Sequence, residues 1–155
     1  MAHMECKTTW LGKNAFKSSI RGHEVLMDTR KESGGDDQGP SPKEMLLASI
    51  TACSGIDVAQ ILVKMRLQVD LCEVSAHTET TAGYPSIFKK IEIKFDIKGP
   101  EIKVDQAMKA ANLSMTKYCG VSAMVNPTSP IVYTVFLNDV KIGEEKAHFE
   151  IPEQP

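Results

Sequence analysis

Between Ile87 and Lys98 the chain alternates with a period of two. Ile91, Ile93, Phe95 and Ile97 fall on one face, and Glu92, Lys94, Asp96 and Lys98 on the other. That pattern predicts a half-buried β-strand. Val69–Thr80 predicts its hairpin partner across a turn around Ala82-Gly83-Tyr84-Pro85. Upstream, Glu5–Leu11, Asn14–Ile20 and His23–Met27 read as three short strands. The turn signals Gly12-Lys13-Asn14 and Arg21-Gly22 separate them, which predicts an antiparallel meander. Ile131–Leu137 predicts a last strand. The polar stretch Asn138–Pro155 has only a weak apolar period and is assigned no element.

The period changes to that of a helix after residues 29–42, an exposed loop rich in Gly, Asp, Ser and Pro. Ser41 can serve as N-cap and Pro42 as the first helical residue, and Glu44 completes a capping box. From Met45 to Met65 the apolar residues run nearly all the way round, so the helix should be central and covered on several sides. A second helix is predicted from about Glu101. It is carried by Val104, Ala107, Met108, Ala111, Met115 and Tyr118, with Gly120 bending or interrupting it and Asn126-Pro127 ending the segment. The order βββ-α-ββ-α-β, with antiparallel runs, is that of an α+β fold in a single domain over residues 5–155. Both helices are too apolar for one-sided packing, which an intertwined homodimer would satisfy.

Composition narrows the function classes. With 155 residues, 42% apolar and 25% charged, the chain is an ordinary globular protein. The 18 basic and 20 acidic residues are interspersed, so there is no basic stripe for nucleic acid. Residues 1–4, Met-Ala-His-Met, read as a cloning remnant and not as a secretory signal. The apolar run from Met45 to Val63 holds Asp57, Gln60 and several hydroxyls, so it reads as core and not as a membrane span. The expected location is the cytoplasm.

Four cysteines, at 6, 53, 72 and 119, form no C-x-x-C. In a reducing compartment any disulfide among them is redox-active in preference to structural. Cys53 and Cys119 lie in apolar helical segments, SITACSGIDVAQIL and MTKYCGVSAMV. If folding joins them, one thiolate can attack a peroxide oxygen and the other can condense with the resulting sulfenic acid. Buried cysteine is more often an inert small hydrophobe, the reading given to Cys6 and Cys72. Two features oppose a Cys53 thiolate: Asp57 lies four residues on along the same helix face, and the helix N-terminus is about three turns away. A cation from elsewhere is needed, with Arg21, Arg30 and Lys43 as candidates. His23 is read as structural, and His77 and His148 as surface residues. The paired short spacings of a structural zinc site are missing, so no metal and no cofactor is expected.

GPSPKEMLLASITACSGIDV and KYCGVSAMV, with GHEVLMD before the loop, resemble the OsmC/Ohr family of osmotically inducible protein C and organic hydroperoxide resistance proteins, in its YhfA-like branch. The resemblance runs from about Glu5 to Leu137. It implies the OsmC-like fold, an intertwined homodimer with sites at the subunit interface, Cys53 as the peroxidatic thiol and Cys119 as the resolving one. It also implies organic hydroperoxides as substrates and a dithiol, such as a lipoyl group, as reductant. In better-studied branches a Glu ten residues before the first Cys holds an Arg against the thiolate. Here Lys43 occupies that position and Glu44 follows it, with Arg21 as the early-turn counterpart, and Gly120 stands where many members have Pro. The other readings are a non-catalytic dimer that binds a small apolar ligand and a thiol-based redox sensor.

Overall fold

A computed structural model describes residues 3–151, in two compact units, Met1–Ala48 and Ser49–Pro155. Met1 and Ala2 of the remnant, and the last four residues of the tail, lie outside the described residues.

The first unit holds the three-stranded antiparallel meander β1 (Lys7–Gly12), β2 (Ala15–Ile20) and β3 (His23–Met27). Ile20 pairs with His23, so Arg21 and Gly22 are the whole turn. Both have positive φ, 51° and 82°, as a two-residue turn matched to strand twist requires. The following loop is tied by Asp28, which is 1% exposed. Its carboxylate accepts backbone N–H bonds from Thr29 (2.7 Å), Asp36 (3.0 Å) and Gln38 (3.2 Å). Burial pushes this carboxyl up, but the three N–H donors outweigh it and hold it below its ordinary 3.8. A depressed folded value stabilises the loop above the unfolded value and loses that contribution as pH falls through the folded one. Amide exchange at Asp36 and Gln38 is therefore expected to accelerate below pH 3.8, and Asp28→Asn should show the faster exchange already at neutral pH. Unchanged protection in the variant would contradict this role.

Helix α1 (Pro42–Lys64) runs from the first unit into the second. It is long and apolar enough to cross a membrane, with a mean hydropathy of 1.8. Ile50, Ser54, Val58 and Leu62, however, are closed inside the folded chain at a spacing of four. Its other faces are not covered within one chain: Leu46, Ile56 and Val63 remain 40%, 58% and 62% exposed.

The second unit is built on a four-stranded sheet in the order β4 (Leu71–Thr80), β5 (Phe88–Lys98), β6 (Ile131–Leu137), β7 (Val140–Lys146). The hairpin β4–β5 is antiparallel and in the expected place. β5 and β6 are parallel, and parallel neighbours need a crossover, usually helical. That crossover carries Cys119. Ile91, Ile93, Phe95 and Ile97 meet Ile131, Tyr133, Val135 and Leu137 on the buried face. Helix α2 (Val104–Leu113) buries only the small residues Ala107, Ala110 and Ala111. The segment left unassigned after Leu137 forms β7, antiparallel to β6 through the turn Asn138-Asp139.

Candidate active site

The crossover does not continue as one helix. After α2 the backbone widens into a π turn, Ser114–Tyr118, closed by the Cys119 N–H on the Ser114 carbonyl (3.0 Å). Thr116 assists, its hydroxyl bonding back to the Asn112 carbonyl (2.7 Å), an alternative that bends helices. The chain then breaks at Cys119 itself, which is extended (φ −71°, ψ 93°) and caps α3 (Gly120–Val125). The sequence placed this interruption just after Cys119, at Gly120. The extra residue in the turn is one of the features that mark π bulges at functional sites.

Cys53, at the middle of α1, and Cys119 are brought together. Their sulfurs and an Asp57 carboxylate oxygen all lie within 4.8 Å of one another. Cys53 is half-buried and Cys119 fully buried. The Cys119 thiol donates to the Ser122 hydroxyl (3.0 Å) and accepts the Ser122 N–H (3.4 Å). Burial is the main reason that the Cys119 thiol is pushed up to about 11. The two Ser122 bonds pull it down, and the neighbouring Cys53 sulfur raises it again. Burial thus keeps the Cys119 thiol protonated at neutral pH.

Asp57 is the third member. Sequence reasoning met it only as a charge opposing a thiolate, and it missed Ser114 and Ser122 altogether. The Ser114 hydroxyl donates to Asp57 Oδ2 (3.0 Å) and reaches the Ser54 carbonyl (3.4 Å). Burial raises the Asp57 carboxyl above its ordinary value, and the Ser114 bond pulls it back down. The readable signal for Ser122 was its position three residues after a capping Cys119. For Ser114 there was none, because only the π turn aims it at α1. Among the described residues no histidine joins this cluster. Asp57 also lines a cleft of about 350 Å³, walled by Ile61, Met65 and Leu113 and edged by Lys64 and Tyr118.

The family model for OsmC-like protein matches residues 34–134, a span that contains both cysteines. The chain belongs to the OsmC-like protein family. It is 34% identical over 132 residues to protein YhfA of Escherichia coli strain K12, covering 84% of this chain and 96% of that one. A crystal structure of a hypothetical protein from Aquifex aeolicus VF5 matches at 30% identity and TM-score 0.79, over 89% of this chain and 98% of that one. OsmC of Legionella pneumophila, an organic hydroperoxide resistance protein, shares the fold at 12% identity and TM-score 0.65, over 87% and 97% of the two chains.

In this OsmC-like chain Glu44 stands in the first turn of α1 and does two jobs. It forms the expected capping box: Oε2 accepts the Ser41 N–H (2.7 Å) and hydroxyl (2.8 Å), and the Ser41 Oγ accepts the Glu44 N–H (3.4 Å). Its Oε1 takes an ion pair from Arg30 at 3.2 Å. The Ser41 and Arg30 donors together hold the Glu44 carboxyl below its ordinary value, the backbone bond from Ser41 contributing most. Arg21 sits in the β2–β3 turn. Ser41→Ala is expected to lose about 1 kcal/mol of stability in urea, as lost N-caps do. A midpoint equal to the parent's would show that Glu44 alone secures the helix start.

Proposed function

We propose that this protein is a thiol peroxidase for organic hydroperoxides, with Cys53 as the attacking and Cys119 as the resolving sulfur. The observation that carries the reading is the meeting of two sulfurs from separate helical segments, within 4.8 Å, beside a cleft with apolar walls. The Cys53 thiolate attacks the terminal peroxide oxygen and the O–O bond breaks. The alkoxide leaves and takes up a proton as the alcohol, and Cys53 becomes a sulfenic acid. Cys119 then displaces the sulfenic hydroxyl as water and forms the disulfide. A dithiol, for which a lipoyl group is the model, returns both thiols by exchange. Ile61, Met65 and Leu113 offer apolar surface to an alkyl tail, which favours organic substrates over hydrogen peroxide.

A Cys53 thiolate needs a cation, because Asp57 opposes it and the start of α1 is too distant. We assign that support to Glu44 and an arginine. Arg21 is the counterpart drawn from the family, and Arg30 is the arginine that Glu44 holds. The working unit on this reading is an intertwined homodimer in the cytoplasm, where thiols stay reduced. The exposed Leu46, Ile56 and Val63 on α1 support the second copy. Light scattering should give twice the chain mass, and a monomer at micromolar concentration would remove the dimer.

The parent protein, with dihydrolipoamide as reductant, is expected to consume cumene hydroperoxide faster than hydrogen peroxide. No consumption of either would leave the non-catalytic or sensing roles. Between these, a disulfide that forms once and persists would point to a sensor.

A further inference from the structure

We propose that Asp57 is the general base of the resolving step: it takes the thiol proton from Cys119 as that sulfur attacks Cys53. The inference rests on the redox reading of the pair and adds a residue to it. Its footing is geometric. Asp57 follows Cys53 by one helical turn on α1, and a carboxylate oxygen lies within 4.8 Å of both sulfurs. One water or a modest side-chain turn closes such a span, and hydrogen bonds to a base often tighten only in the reacting complex. The Ser114 hydroxyl, delivered by the π turn, fixes Oδ2 at 3.0 Å. Lys64 and Tyr118 are the other titratable groups on the same cleft.

The step needs a base. Cys119 is fully buried, and its thiol sits at about 11, so almost none of it is ionised at neutral pH. Ser122 takes the thiol hydrogen only as a hydrogen bond, and a serine hydroxyl is no base. In the proposed step the Cys119 proton passes to the Asp57 carboxylate. The freed electron pair forms the S–S bond with Cys53 Sγ, the S–O bond of the sulfenic acid breaks, and the departing oxygen takes the proton back from Asp57. Water leaves, the Cys119 sulfur is oxidised and the sulfenic sulfur is reduced to the disulfide level, and Asp57 ends as it began.

The test does not depend on peroxide. With Cys6 and Cys72 replaced by serine, excess DTNB converts Cys53 to a mixed disulfide, and Cys119 then expels the second thionitrobenzoate, read at its own absorbance. In D57N this second phase is expected to be roughly tenfold to a hundredfold slower at pH 7, the scale of general base catalysis. It should approach the parent rate as pH nears the Cys119 value of about 11, where hydroxide serves instead. D57E should recover part of the rate. Ser114→Ala removes the bond that lowers the Asp57 value, so the acid limb of the profile should move to higher pH. A purely electrostatic role gives the opposite sign: removing a negative charge eases thiolate formation and speeds D57N. A second phase in D57N as fast as the parent's or faster across the pH range would overturn the proposal. If D57N does not fold, an unshifted acid limb in Ser114→Ala would do so. An absence of peroxide turnover in the parent would instead count against the peroxidase reading and leave the exchange result standing.

Discussion

Cys53→Ser is expected to bring dithiol-dependent reduction of cumene hydroperoxide down to the rate seen without protein. The loss of turnover should be complete because neither the introduced serine nor Cys119 can take over the attack at the site. A serine hydroxyl in the same place does not ionise near neutral pH, and Cys119 is buried with its thiol at about 11. Cys119→Ser should behave differently. The first turnover survives, since it needs only Cys53, but the sulfenic acid then has no internal thiol to meet. A second peroxide carries it to the sulfinic level, and activity decays with turnover. Continuous measurement of peroxide loss separates the two: no activity in the first variant, a declining trace in the second. Equal steady rates in the parent and in Cys53→Ser would end the enzymatic reading.

Phe95→Ala should be the most destabilising simple substitution, costing about 3–5 kcal/mol, as deletions of buried aromatic rings do. Phe95 is 0% exposed at the middle of β5, between Val74 of β4 and Val135 of β6. Its ring meets Tyr133 edge to face, with centroids 6.1 Å apart and planes at 82°. The Tyr133 hydroxyl in turn donates to Asn112 near the end of α2 (2.9 Å), so the cavity would loosen the sheet and the end of α2 together. Against a total stability of about 5–15 kcal/mol, the loss is a large share. Urea unfolding followed by circular dichroism measures it. A loss under about 1 kcal/mol would mean that the site collapses around the deletion. Tyr133→Phe, which keeps the ring and removes one bond, should cost only about 1 kcal/mol.

What the sequence made legible follows the strength of each local signal. From Ile91 onward β5 alternates without a break, and Ile91, Ile93, Phe95 and Ile97 are buried as read. The capping box at Ser41 and Glu44 is a local contact, and it forms. β7 escaped because VKIGEEK is an edge strand with little to bury. The signal that could have found it was Asn138-Asp139 between apolar runs. Both residues take positive φ, 49° and 69°, the requirement of a two-residue hairpin turn. The break at Cys119 was half legible: Gly120 flagged it, but a π turn depends on tertiary demands that a period of 3.6 does not record. The coverage of α1 was read from its composition. One chain buries only the stripe from Ile50 to Leu62, because composition says how much apolar surface there is and not what covers it. At the site, Cys53 and Cys119 could be named, while their meeting, the Ser114 bond to Asp57 and the Ser122 bonds to Cys119 are products of the crossover geometry.

The most direct test of the account is the covalent state of the pair after oxidation. The reduced protein, treated with one equivalent of cumene hydroperoxide and digested under non-reducing conditions, should yield one new species. This is the Cys53 peptide joined to the Cys119 peptide, with the intact chain lighter by two hydrogens. Two separate peptides, with Cys53 unmodified or carrying a lasting oxygen adduct, would contradict it.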